Sequence, residues 1–136
     1  MVVFYGFSVV EGGEPGVRSA WNFQNYGYDM ITAARFPATI PIHVAVHVGR
    51  AAGDPDTFSF ILATLDGHGK AINAPGIPPA IERLESWQPM ENGLSFQRMT
   101  VIATIDLHCA KPDSYQIGLS MPGWQVPSLP LYVVSE

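Results

Sequence analysis

Cys109 is the only cysteine in the sequence, so no disulfide can form within the chain. That excludes the small secreted scaffolds held by disulfide frameworks and favours a reducing, intracellular setting. Charge is scarce as well. Asp, Glu, Lys and Arg make up 14% of the residues, against roughly 25% in typical soluble domains. The seven basic residues are spread singly from Arg18 to Lys111, and the net charge is −5. Binding to nucleic acid leans on Lys and Arg neutralising phosphates, so nucleic acid is excluded as a partner. An anionic membrane surface is excluded on the same ground. No apolar run approaches the ~20 residues needed to cross a bilayer. Met1 is followed by Val2, Val3, Phe4 and Tyr5 with no basic stretch and no small-residue cleavage site, so a secretory leader is not expected. The expected location is the cytoplasm, or the interior of an intracellularly assembled particle.

What the sequence does hold is turn chemistry between apolar runs. Gly (13) and Pro (12) are scattered through the 136 residues, which disfavours long helices. The clearest strand is Ile42 to Val48. Ile42, Val44, Val46 and Val48 alternate with His43, Ala45 and His47, the period-two pattern of a half-buried strand. Further strands are predicted at Val2 to Val10, Tyr28 to Phe36, Thr57 to Leu65, Ser95 to Leu107, Ser114 to Met121 and Leu129 to Val133. Thr57 to Leu65 is apolar on both faces, as a central strand would be. Asp66-Gly67-His68-Gly69 reads as a turn into a short strand at Lys70 to Ile72. Residues 80–87 fit two elements: Ile81, Leu84 and Trp87 have helical spacing after Pro79, and an irregular edge strand fits equally. About seven or eight strands with turns between them predict an all-β chain, an antiparallel two-layer β-sandwich, immunoglobulin-like or similar. The length fits a single domain, 1–136.

Residues of about 30 to 134 resemble a family of small bacterial proteins known only as a domain of unknown function. The resemblance lies in Ala34-Arg35-Phe36-Pro37, in Pro41 leading into a valine-rich strand, and in Leu65-Asp66-Gly67-His68-Gly69-Lys70. It continues in Lys111-Pro112-Asp113-Ser114-Tyr115 and Pro130-Leu131-Tyr132-Val133. It implies a β-sandwich and supplies no activity, cofactor or site. Asp113 stands where a glycine is usual in that pattern, and the first 30 residues fit it poorly. Pro112-Asp113-Ser114-Tyr115 is also similar to the tyrosine corner of immunoglobulin-like sandwiches, where a Tyr hydroxyl bonds back to nearby backbone. Tyr115 is therefore expected to be a structural clasp.

The chemistry-bearing residues do not assemble into a known motif. His43 and His47 share a strand face, but four residues along a strand separate them by about 13 Å. A metal needs its ligands about 2 Å away. A site built from His47, Asp106 and His108 would make the chain a metal-dependent enzyme; a polar sheet face is the plainer reading. No Ser lies in a nucleophile-elbow context. Cys109 follows His108 directly, so the two side chains face opposite sides of a strand, and Cys109 reads as a buried filler. No phosphate-binding or dinucleotide glycine motif is present, and Asp54 and Asp56 are too few for a clustered calcium loop.

One compositional anomaly is left. Eight of the aromatic residues lie between Phe4 and Phe36. Trp21, Phe23, Tyr26 and Tyr28 are interleaved with Asn22, Gln24, Asn25 and Gly27, a mixture common on recognition surfaces. The alternative is that Trp21 and Phe23 cap the core. The reading that follows is a non-enzymatic protein-interaction or assembly module without cofactor. It would be a homo-oligomer or a component of a larger particle such as a phage structural protein, with Trp21, Phe23, Tyr26 and Tyr28 at the contact. A sandwich binding a small ligand or carbohydrate, with Trp21, Trp87 and Trp124 as stacking platforms, is the alternative. The spacing of His43 and His47 predicts that purified protein carries no stoichiometric transition metal. Elemental analysis showing zinc or iron that is lost in a His108 variant would overturn this.

Overall fold

The computed structural model describes residues 1–15, 21–24 and 27–136, with the side chains of residues 14–15 and 21–24 excepted. Its strands are β1 (Val3–Val10), β2 (Gly12–Pro15), β3 (Trp21–Gln24), β4 (Met30–Ala33) and β5 (Ala38–Ala51). They continue with β6 (Thr57–Asp66), β7 (Ala80–Ser86), β8 (Phe96–Cys109), β9 (Asp113–Ser120) and β10 (Leu129–Ser135). One sheet has the order β1-β5-β8 and the other β4-β10-β9-β6-β7, while β2 and β3 form a separate ribbon. The two sheets enclose one hydrophobic core, so the fold is the expected all-β sandwich. No helix among the described residues is long and apolar enough to cross a membrane.

The core follows from alternation. On β5, Ile42, Val44, Val46 and Val48 are buried. Their partners in register on β8 are Ile105, Ala103, Val101 and Met99. The second sheet contributes Phe58, Phe60 and Leu62 of β6, Ile117 and Leu119 of β9, and Leu131 and Val133 of β10. β5 pairs with β8 antiparallel from Ala38↔Cys109 to Ala51↔Phe96, over the full length of both strands.

Several elements differ from expectation for local reasons. β5 is longer than Ile42–Val48 and contains Pro41. The last pair of β1 is Val10↔His43, so at Pro41 the strand has one neighbour and a missing N–H is tolerated. The second predicted strand is reduced to Met30–Ala33 and runs parallel to β10, a departure from purely antiparallel pairing. Lys70 to Ile72 is not a strand; it forms only the bridge Leu65↔Ala71. β6 is central, between β9 and β7, yet its outer face is open, with Ile61 42% exposed. Residues 80–86 are an edge strand, not a helix. A spacing of three puts successive residues on opposite faces of a strand, so Leu84 is exposed while Trp87 is buried.

The corner before β9 is closed as expected. Tyr115 is buried, and its hydroxyl donates to the Lys111 carbonyl at 2.7 Å. Burial is the main cause that raises its pKa. Tyr115→Phe is expected to destabilise the fold by about 0.5–1.5 kcal/mol. Thermal melting checks this, and an unchanged midpoint would remove the clasp.

Candidate functional site

Three surfaces carry the side chains that could act. On the outer face of the three-stranded sheet, His43 pairs in register with Thr104 and His47 with Thr100. Each imidazole is hydrogen-bonded to its partner, Nδ1 to Oγ1, at 2.8 Å for His43 and 3.0 Å for His47. Burial holds the His47 pKa below its ordinary value. The rows are thus cross-strand pairs of a polar sheet face. Asp106 is opposite Pro41 and His108 opposite Thr39, whereas His47 is opposite Thr100. Six residues separate Thr100 from Asp106, about 20 Å along a strand, so His47 is kept apart from the other two members of the conceivable metal set.

The second surface is a cleft of about 660 Å³ at one end of the sandwich, lined among others by Asp66, His68, Asn73, His108, Lys111 and Asp113. Most of its charged groups are already engaged. One Asp66 oxygen accepts the backbone amides of His68 at 2.8 Å and Lys70 at 3.0 Å. These bonds, the one from Lys70 foremost, hold its carboxyl below the usual range. The Lys111 ammonium is 3.7 Å from Asp113. His108 Nδ1 is buried in this wall without a hydrogen-bond partner among the described residues. Among those residues, no three His, Cys, Asp or Glu side chains are grouped to hold a metal ion.

The third surface is the outer face of the five-stranded sheet. The registers place Met30 beside Tyr132, Tyr132 beside Ser114, Gln116 beside Leu65, Gly118 beside Ala63, Ser120 beside Ile61, and Ser59 beside Leu84. Met30 is 60% exposed, Leu84 71%, Tyr132 44% and Ile61 42%. Across all five strands the only charged side chain in this outward set is Glu82, opposite Ile61. Leu65 lies across Gly118, where an added Cβ would come within 3.3 Å of its Cδ1.

The aromatic segment lies partly outside the described residues. Trp21 and Phe23 are on β3, paired with Pro15 and Gly13 of β2; their side chains, and Tyr26 altogether, lie outside the described residues. Tyr28 is half-buried against the core. Its ring packs on the core and does not project as a free contact. Of the other tryptophans, Trp87 is 6% exposed and packs on Phe58 at 5.3 Å. Trp124 donates through Nε1 to the Val2 carbonyl at 2.9 Å. Trp87 therefore offers no stacking platform, because its faces are already covered.

Arg50 was not apparent as a special residue from sequence. It is 4% exposed, with its guanidinium 5.3 Å from the Trp87 ring centre. Nε donates to Gln97 Oε1 at 2.9 Å, Nη1 to Asp56 Oδ1 at 2.9 Å and to the Pro55 carbonyl at 3.3 Å, and Nη2 to the Gln88 carbonyl at 3.0 Å. With four of its five donors so used, it closes one end of the core. The signal for it was the continuation of the Ile42-to-Val48 alternation by one more inward position.

No known protein family, characterised protein or solved structure matches the chain. The functional reading therefore rests on geometry.

Cys109 is fully buried within the core cluster, and burial pushes its thiol up to about 11. The thiolate is the reactive form. Native protein at pH 8 is expected to resist iodoacetamide for hours and to label fully once unfolded; rapid labelling of the native state would contradict its place in the core.

Proposed function

We propose that this chain is a non-enzymatic assembly module, a protein-interaction domain that forms a homo-oligomer or one component of a larger particle. The observation that carries this reading is the outer face of the five-stranded sheet, with its exposed Met30, Ile61, Leu84 and Tyr132 and the single charge of Glu82. Solvated sheet faces ordinarily alternate apolar-in with polar-out. A face with apolar and small uncharged side chains outward has the composition of a surface that a protein partner covers, since interface cores are depleted in charge. Low charge in the chain as a whole agrees with this, as does the interleaved aromatic segment, whose Trp21, Phe23 and Tyr26 are retained as a second contact region while Tyr28 packs on the core. The cleft supports an enzymatic reading less well: Asp66 is committed to its turn and Lys111 faces Asp113.

The reading is tested by mass in solution. Wild type is expected to exceed the 14.8 kDa of one chain in light scattering across a concentration series. The double variant Ile61→Glu, Tyr132→Glu changes only outward positions. It is expected to melt within a few degrees of wild type and to lose mass, because two buried like charges at a contact weaken it strongly. A wild type that remains one chain at high micromolar concentration, indistinguishable from the variant, would remove the proposal.

A further inference from the structure

β7 is the last strand of the five-stranded sheet, with β6 on one side and, among the described residues, no strand on the other. Its pairing with β6 runs from Thr57↔Ser86 to Ala63↔Ala80. The ladder is bounded by two hydrogen bonds, Thr64 N–H to the Pro79 carbonyl at 2.8 Å and Trp87 N–H to the Asp56 carbonyl at 2.9 Å. In an antiparallel pair the residues that bond to the neighbour alternate with those that point away. Positions 79 and 87 bond to the β6 side, so positions 81, 83 and 85 do too. The backbone N–H and C=O groups of Glu82, Leu84 and Ser86 therefore point to the free edge. All three residues are exposed, and Leu84 is 71% exposed.

An open edge of this kind is a template for another strand. The side chains select which strand fits. If a second copy pairs antiparallel about a two-fold axis normal to the sheet, each residue i faces residue j with i + j constant, and like faces stay together only if one residue faces itself. Centring on Arg83 sets Arg83 against the partner's Arg83. Centring on Glu82 or Glu85 sets carboxylate against carboxylate. Centring on Leu84 sets Arg83 against the partner's Glu85 and Glu85 against the partner's Arg83. It also puts Glu82 opposite the partner's Ser86, and Leu84 against the partner's Leu84 on the charge-poor face. Within one chain Arg83 Nη2 already donates to Glu85 Oε1 at 2.7 Å, so the two copies would close a ring of four alternating charges.

We propose that β7 is a self-pairing edge, and that two copies of this chain join through it in the register centred on Leu84. The pairing extends the five-stranded sheet across the two-fold axis and makes one continuous outer face from two. It deepens the assembly reading by naming the partner, the strand and the register.

The test uses single variants and their mixture, followed by analytical ultracentrifugation with far-UV circular dichroism as the check on folding. Arg83→Glu alone and Glu85→Arg alone each turn both facing pairs into like-charge pairs. Each is expected to weaken dimerisation about tenfold or more. An equimolar mixture of the two restores opposite charges at both positions and is expected to dimerise as wild type does. Both single variants lose the same intrachain ion pair, so recovery in the mixture reads the pairing and not the fold. Leu84→Pro removes an N–H that faces the free edge, where proline is tolerated; it is expected to stay folded and become a monomer. A wild-type oligomer unaffected by all of these but reduced by Ile61→Glu, Tyr132→Glu overturns the edge pairing and leaves the assembly reading standing. A wild type that is monomeric throughout overturns both.

Discussion

The ladder between β5 and β8 is the constraint on which the rest of the structure depends. It runs without a register shift from Ala38↔Cys109 to Ala51↔Phe96. Because side chains alternate with a period of two, that one register sends Ile42, Val44, Val46 and Val48 inward together with Val101, Ala103 and Ile105. A slip of one residue would send His43 and His47 of β5, or Thr100 and Thr104 of β8, into the core instead. The second sheet is then required to cover this apolar face, and Phe58, Phe60, Leu62, Ile117 and Leu131 do so. The same alternation reaches Arg50, which is why a guanidinium stands at the end of the core with four of its five donors occupied.

Charge is distributed according to this architecture. The inward positions of the edge strand β7 hold Arg83 and Glu85, half-buried and paired with each other, a placement that discourages indiscriminate strand addition. The outer face of the five-stranded sheet keeps one carboxylate. The outer face of the three-stranded sheet is more varied. There Gly49 leaves room for Tyr5 and Phe96 to meet edge to face at 6.3 Å, and the Arg98 guanidinium lies 4.7 Å from the Tyr5 ring centre. The two sides of the sandwich are thus chemically distinct, and the side poor in charge is the one suited to being covered.

Much of the fold was legible because strand alternation is a local signal. Val44 and Val46 announce their faces without reference to any other strand, and the turn at Asp66–Gly69 announces itself by its residues. The corner at Tyr115 was legible for the same reason, since its hydroxyl reaches a carbonyl only four residues away. Residues 80–86 were not, because Ile81, Leu84 and Trp87 satisfy a helical period and only pairing with β6 excludes it. The cleft was hidden too, because it joins Asp66 and His68 to His108 and Lys111, which are distant in sequence.

By itself the sequence determined that the chain is built of strands, which of their faces are apolar, and that its basic residues are few and scattered. These are properties of composition and of a period of two, and neither needs a partner strand. Only the tertiary structure decided which strands are edges, which apolar side chains stay outside, and which charges face one another. Those depend on pairing order and register, and register is a relation between residues far apart in the chain.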